Sequence, residues 1–309
     1  MYFTSLPDHS QANFDEEMHF SRFKKHNIIF NTVSNYGYCD DHVGCLSFKT
    51  ILSGEEWYVV NNKRIAVRPG QFLILNDEQN YSCSIDQEKV KGFSVFFKNE
   101  FAAEVFRNEM NNEETILDNP FSVDEKSPEF FQTLNYITPE LQLQLTTLIS
   151  ALENDGFHAM TDEKLVFLLE HLICSHKSDT KRIDRVAAIK LSSKTEIYKR
   201  LCIAKDLLHS TFMDNPDLHT LSSTACLSVP QLIRQFKSVF QVTPHQYLIA
   251  LKLKRAVELL KFSHKPINEI TWACGFENVS AFCRAFKTAY GAQPLNYRNH
   301  HEHTVHTQQ

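Results

Sequence analysis

The sequence predicts an α+β protein: an antiparallel β-sandwich or small barrel, then a helical segment, then an all-α domain with two helix-turn-helix units. Three observations carry this. Short runs rich in β-branched and aromatic residues recur between residues 27 and 97, with turn signals between them. Two similar helical blocks occupy residues 221–237 and 270–287, and Arg-x-Phe-Lys recurs in them at a fifty-residue offset. Charge divides as well: residues 1–180 hold 14 Lys and Arg against 28 Asp and Glu, whereas residues 181–300 hold 18 against 8. An acidic body joined to a basic C-terminal domain points to a polyanion as the partner of that domain alone.

A chain of 309 residues with 42% hydrophobic residues has enough apolar material for two cores. No apolar run approaches the roughly 20 residues a membrane span needs. The start, Met1 to Asp8, lacks the charged and apolar regions of a signal peptide. Eight cysteines are scattered without a C-x-x-C pair, the pattern of reduced thiols in a cytoplasmic protein.

Residues 1–26 are polar and irregular. Strands are expected at Ile28–Val33, Cys45–Ile51, Trp57–Val60, Gln71–Leu75 and Phe93–Phe97, with turns around Gly54, Asn61-Asn62 and Pro69-Gly70. The phrase Ile65-Ala-Val-Arg-Pro-Gly-Gln-Phe-Leu-Ile-Leu75 resembles the cupin-type sensor barrel of bacterial regulators. That resemblance implies a cupin-like antiparallel β-barrel over residues 1–138. A metal-dependent enzyme on such a barrel would need clustered imidazoles, and His9, His19, His26 and His42 are not suitably paired. No metal, cofactor or catalytic residue is expected. A small organic effector fits a barrel mouth, with Trp57, Tyr58 and Tyr81 as candidate lining residues, although strand aromatics commonly serve the core.

A helix is expected at Asn99–Arg107, then acidic loops from Asn111 to Thr138. The helical segment, residues 139–178, holds Pro139–Leu152 and Thr161–Ile173. Leu141, Leu145, Leu148 and Leu152 share one face; Leu165, Leu168, Leu169 and Leu172 share another. These faces either cap the barrel within one protomer or form the seam of a homodimer. Ser175–Lys194 reads as a linker, and a first helix of the C-terminal domain (residues 179–300) follows at Glu196–His209.

In the first block, Leu221, Ala225 and Leu227 pack inward, and Ser228 with Gln231 reads as a capping box. Pro230 sits in the first turn of the next helix, where its missing N–H costs nothing. Leu232, Phe236 and Val239 or Phe240 face the core. In the second block Ile267, Ile270 and Ala273 pack, Gly275 permits the turn, and Phe282, Phe286 and Tyr290 form the buried stripe. Gly291 stops the helix. Thr243-Pro244 starts a connecting helix to about Phe262, some 28 Å long at ~1.5 Å per residue. That approaches the ~34 Å between successive major-groove faces of B-DNA.

With Tyr247-Leu-x-x-Leu-x-Leu-x-Arg-Ala256, Ile270-x-x-x-x-Gly-Phe276 and Phe282-x-Arg-x-Phe-Lys287, residues 196–298 resemble the AraC-type DNA-binding domain of bacterial transcription regulators. The resemblance implies base contacts from Pro230, Ile233 and Arg234, and from Val279, Ser280, Ala281, Cys283 and Arg284. Lys237 and Lys287 are expected at phosphates. It also implies double-stranded DNA and RNA polymerase as partners. Two positions depart from the family: Cys226 and Gln241 stand where glycine is usual, so a left-handed backbone there would cost about 1 kcal/mol. The competing readings are a cupin-barrel enzyme with a DNA-binding appendage and a regulator without effector. Residues 301–309 are expected to be a disordered tail, in preference to a metal site built from His300, His301, His303 and His306.

Overall fold

In the N-terminal unit the central strands are buried on both faces, and alternation along them decides what each face meets. The computed structural model describes residues 1–5, 16–35, 38–85, 89–110, 129–155 and 160–299, with side chains described at all of these except 16–20, 38–42, 155 and 160. The chain divides into two units, Met1–Lys181 and Arg182–Gln309.

The first unit runs β1 (Tyr2–Phe3), α1 (Glu16–Lys25), β2 (Ile28–Ser34), β3 (Tyr38–Gly44), β4 (Ser47–Ser53), β5 (Glu56–Val60), β6 (Lys63–Val67), β7 (Gln71–Leu75), β8 (Gln79–Ser84), β9 (Val90–Phe96), α2 (Asn99–Met110), β10 (Asn135–Tyr136), α3 (Pro139–Asp155) and α4 (Met160–Ile183). One sheet has the order β1-β2-β9-β4-β7-β10 and the other β3-β8-β5-β6. The edge pair β1–β2 is parallel, and the remaining described pairs are antiparallel. Neither sheet closes on itself in the described pairings, an arrangement compatible with the expected cupin-like fold. Asn61 and Asn62 join β5 to β6 with φ of 51° and 61°, the two left-handed residues a tight type I′ hairpin requires.

Phe48, Phe72, Ile74, Phe93 and Val95 turn one face of the larger sheet toward the helices. Ile51, Leu73 and Leu75, on the opposite face, pack with Tyr58, Val60, Ile65 and Val67 of the smaller sheet. Helices, sheet and sheet therefore form three layers. Leu141, Leu145, Leu148 and Leu152 of α3 and Leu165, Leu168, Leu169 and Leu172 of α4 are each at most 2% exposed in the helix–sheet core. The dimer seam expected of these leucines is corrected: they cap the sheet inside one protomer, because its outer face would otherwise stand uncovered. Among the described residues, Leu143 and Phe167 are the large apolar side chains that α3 and α4 leave outside.

Other boundaries shift. β3, β6 and β8 lie where polar residues masked the alternation. α4 continues ten residues past Ile173, so the expected linker Ser175–Lys194 contracts to 184–190. Polar residues there cover the solvent side of a helix whose inner side is held, and Lys177 Nζ donates to the Glu109 carbonyl at 2.8 Å. Residues 111–128 of the expected acidic loop, and the histidine-rich tail, lie outside the described residues.

The three aromatic effector candidates do not come together. Tyr58 and Tyr81 are core residues, 2% and 6% exposed, with ring centroids 6.3 Å apart. Trp57 points to the opposite side of β5, where the Arg64 guanidinium lies 4.2 Å from its ring centre. Adjacent strand residues cannot share a face, so a pocket lined by both Trp57 and Tyr58 is ruled out by the pleat.

The second unit is helical: α5 (Leu191–Thr211), a 3-10 turn (Phe212–Asp214), α6 (Leu218–Thr224), α7 (Val229–Phe240), α8 (Pro244–Phe262), α9 (Ile267–Ala273) and α10 (Val279–Tyr290). α5 begins five residues before the expected Glu196. Leu201, Leu208, Leu221, Leu232 and Phe236 are buried in the first half. Leu253, Ala256, Leu260, Ile270, Phe276, Phe282 and Phe286 form the core of the second. Tyr290, expected in the buried stripe, is 39% exposed, its ring resting against Phe286 and Tyr297 at the margin.

Candidate nucleic-acid interface

The two helix-turn-helix units are built by the same local devices. Asp217 caps α6, its Oδ1 accepting the Thr220 N–H at 2.7 Å; that bond holds the carboxyl below the usual range. At the end of α6, Cys226 N–H donates to Ser223 O at 3.1 Å and Leu227 N–H to Ser222 O at 2.9 Å. α9 ends identically: Gly275 N–H to Trp272 O at 2.9 Å, Phe276 N–H to Thr271 O at 3.1 Å. This pair of bonds closes a helix only when the residue at the turn is left-handed. Gly275 adopts φ 70° and Cys226 adopts φ 52°, so the non-glycine turn forms with the same geometry.

The turns differ by one residue. Cys226 corresponds to Gly275, an offset of 49, while the caps Ser228 and Asn278 are offset by 50, which makes Glu277 the extra residue. Asn278 Oδ1 accepts the Ala281 N–H at 2.8 Å to start α10. Ser228 Oγ accepts the Gln231 N–H at 3.4 Å to start α7, the first half of the expected capping box. A complete box forms instead at Thr243 and Gln246, opening α8. Gln241 (φ 64°) and Gly291 (φ 74°) end the two helices.

Helical periodicity then aims the candidate residues. Leu232, Phe236, Phe282 and Phe286 are fully buried. Arg234 and Lys237 on α7, and Arg284 and Lys287 on α10, are exposed, as are Pro230, Val279 and Ser280. Ile233, Ala281 and Cys283 are half-buried at the rim, and burial raises the Cys283 thiol above its ordinary pKa. Among the described residues, the side chains of Arg234, Lys237, Arg284 and Lys287 make no ion pair or hydrogen bond. Their neighbours behave differently: Arg200 pairs with Glu196 at 2.8 Å and Arg255 with Glu258 at 3.0 Å. The alternative that Arg234 and Arg284 serve acidic side chains finds no partner among the described residues. Two outward faces, matched in sequence and geometry, carry free cations.

Residues 221–300 match the helix-turn-helix domain family. They form an AraC-type domain. The chain is 30% identical over 122 residues to the probable transcriptional regulator LumQ of Photobacterium leiognathi, covering 39% of this chain and 43% of that protein. It is also 30% identical over 99 residues to the transcriptional activator RhaS of Escherichia coli O139:H28, covering 32% of this chain and 36% of that one. The match thus spans well under half the length of either relative. Among solved structures it is similar to the DNA-binding domain of AdpA in complex with a target DNA, at 26% identity and TM-score 0.33, covering 34% of this chain and 94% of that one.

Outside the two helical faces, the second unit holds side chains that sequence reading passed over. Arg200 Nη1 donates to the carbonyl of Cys226 at 2.9 Å, and Lys252 Nζ to the carbonyl of Gly275 at 2.5 Å. Cys226 and Gly275 are thus each gripped by a cation from the long helix that begins its half of the second unit. No local pattern announces a contact across 26 or 23 residues. Among the described residues no group of three His, Cys, Asp or Glu is arranged to hold a metal, and no helix is long and apolar enough to cross a membrane.

Proposed function

We propose that the chain is a sequence-specific DNA-binding transcription regulator that places α7 and α10 in successive major-groove faces of one duplex. One observation carries this reading: two repeat-related helices present Arg234 with Lys237 and Arg284 with Lys287 outward, without protein partners among the described residues. Arginine suits bidentate contact with guanine, and lysine suits phosphate. Pro230, Ile233 and Arg234 face base edges from the first head; Val279, Ser280, Ala281, Cys283 and Arg284 face them from the second. Lys237 and Lys287 grip the backbone. The relatives named above are regulators, one of them an activator, and the same role is assigned here without catalysis. From the family resemblance the reading takes RNA polymerase as a partner, a homodimer in the cytoplasm as the working form, and a small organic effector acting through the N-terminal unit.

The test is a selection of bound sequences from a randomised DNA pool with wild type, Arg234→Ala and Arg284→Ala. Each variant is expected to lose preference at one position of its own half-site, by ~1–3 kcal/mol. Weaker binding with an unchanged selected motif would make the arginines phosphate clamps.

A further inference from the structure

Lys252 lies midway along α8 and is 3% exposed, an unusual site for an ammonium. Its Nζ donates to two acceptors from different halves of the second unit. One is the Gly275 carbonyl, 2.5 Å away in the turn of the second helix-turn-helix. The other is Oδ1 of Asn215, in the connection between the 3-10 turn and α6 that leads into the first. Asn215 Nδ2 donates in turn to the same Gly275 carbonyl at 3.1 Å. The Phe276 ring, 5.1 Å from Nζ, covers the ammonium further. Burial holds Lys252 below the usual lysine range, with Glu277 acting against that drop.

Backbone packing closes the same joint. A Cβ built on Gly275 would stand 2.6 Å from the Met213 carbonyl oxygen and 3.0 Å from Met213 Cα, so the second turn lies directly on the chain that enters the first head. Asn215 is itself left-handed, at φ 55°. Arg200 marks the contrast, since its recorded partners, Cys226 and Glu196, both lie in the first head. Arg200 braces one head; Lys252 braces one head and ties it to the other.

Resting on the reading of two heads on one duplex, we infer that Lys252 and Asn215 are positioning residues that fix the second recognition helix relative to the first, and so set the spacing of half-sites this protein accepts. One base pair added between half-sites rotates the second by about 34° and moves it by about 3.4 Å, which a rigid pair of heads meets only by twisting the duplex. Spacing selectivity is therefore a property of the joint as well as of α8.

The experiment uses the full chain and the DNA site recovered from the randomised pool, together with versions one base pair longer and one shorter between half-sites. Wild type is expected to bind the altered sites roughly tenfold more weakly. Asn215→Gly keeps the left-handed backbone but deletes the link, and should reduce that ratio to threefold or less. Lys252→Met should do the same with lower affinity throughout, whereas Asn215→Asp retains the acceptor for Lys252 and should keep the wild-type ratio. Thermal melts confirm that each variant is folded. Wild-type ratios in both Asn215→Gly and Lys252→Met overturn the inference, as does a wild type indifferent to spacing, while the DNA-binding reading survives either result. A wild type that selects no sequence removes the reading and the inference with it.

Discussion

At the scale of single residues, the two non-glycine turns carry a measurable strain. Cys226 and Gln241 hold left-handed φ of 52° and 64°, where Cβ crowds the backbone. Gly275 and Gly291 serve the same positions in the second unit without a Cβ. Cys226→Gly and Gln241→Gly are each expected to stabilise the second unit by about 1 kcal/mol. On a unit of this size that raises its Tm by roughly 4 °C. Calorimetry of the full chain reads the shift; an unchanged Tm would mean that surrounding bonds, among them Arg200 on the Cys226 carbonyl and Gln241 Nε2 on the Ser238 carbonyl, already relieve the strain.

Among the elements, α3 and α4 show why an amphipathic helix does not reveal what it covers. Leu145 and Leu148 are both 2% exposed among Phe and Val side chains of the larger sheet. Truncating such a leucine to Ala costs about 2–5 kcal/mol, and an unpaired charge costs more. Leu145→Glu or Leu148→Glu is therefore expected to abolish the cooperative unfolding transition of the N-terminal unit. Leu143, 68% exposed and two residues before Leu145 on the other side of α3, is the control. Leu143→Glu should change stability by less than about 0.5 kcal/mol. Urea titrations followed by near-ultraviolet circular dichroism distinguish these outcomes. Folded monomers from Leu145→Glu would restore the seam rejected above.

For the whole molecule, the excess of 10 positive charges in residues 181–300 set against the acidic remainder makes salt the informative variable. If Lys237 and Lys287 each neutralise one phosphate, the logarithm of affinity falls with that of salt at a slope near −1.8. Between 50 and 200 mM salt that amounts to about a tenfold loss. Lys237→Gln or Lys287→Gln should each reduce the slope by about 0.9 without changing the selected motif. Equilibrium binding by fluorescence anisotropy across that range is the check. A flat salt response would leave the basic face as a solvated surface.

Local chemistry accounts for what was legible in the sequence. The repeat, its caps, the connecting helix and the outward placement of Arg234, Lys237, Arg284 and Lys287 follow from spacing, turn residues and helical period, which act over a few residues. The left-handed turn at Cys226 was readable through the family resemblance, in which glycine is usual at that position; its correspondence to Gly275 emerged only from the backbone. Tertiary structure decided the remainder. Whether Leu145 faces a sheet or another protomer depends on which surface stands uncovered. Whether Trp57 and Tyr58 meet depends on the phase of a strand. Along α8 Lys252 is one charge among Lys254, Arg255 and Lys261, and only the approach of Asn215 and Gly275, 37 and 23 residues away, turns it into a joint between two reading heads. Contacts at such separations are set by packing, which no short window of sequence contains.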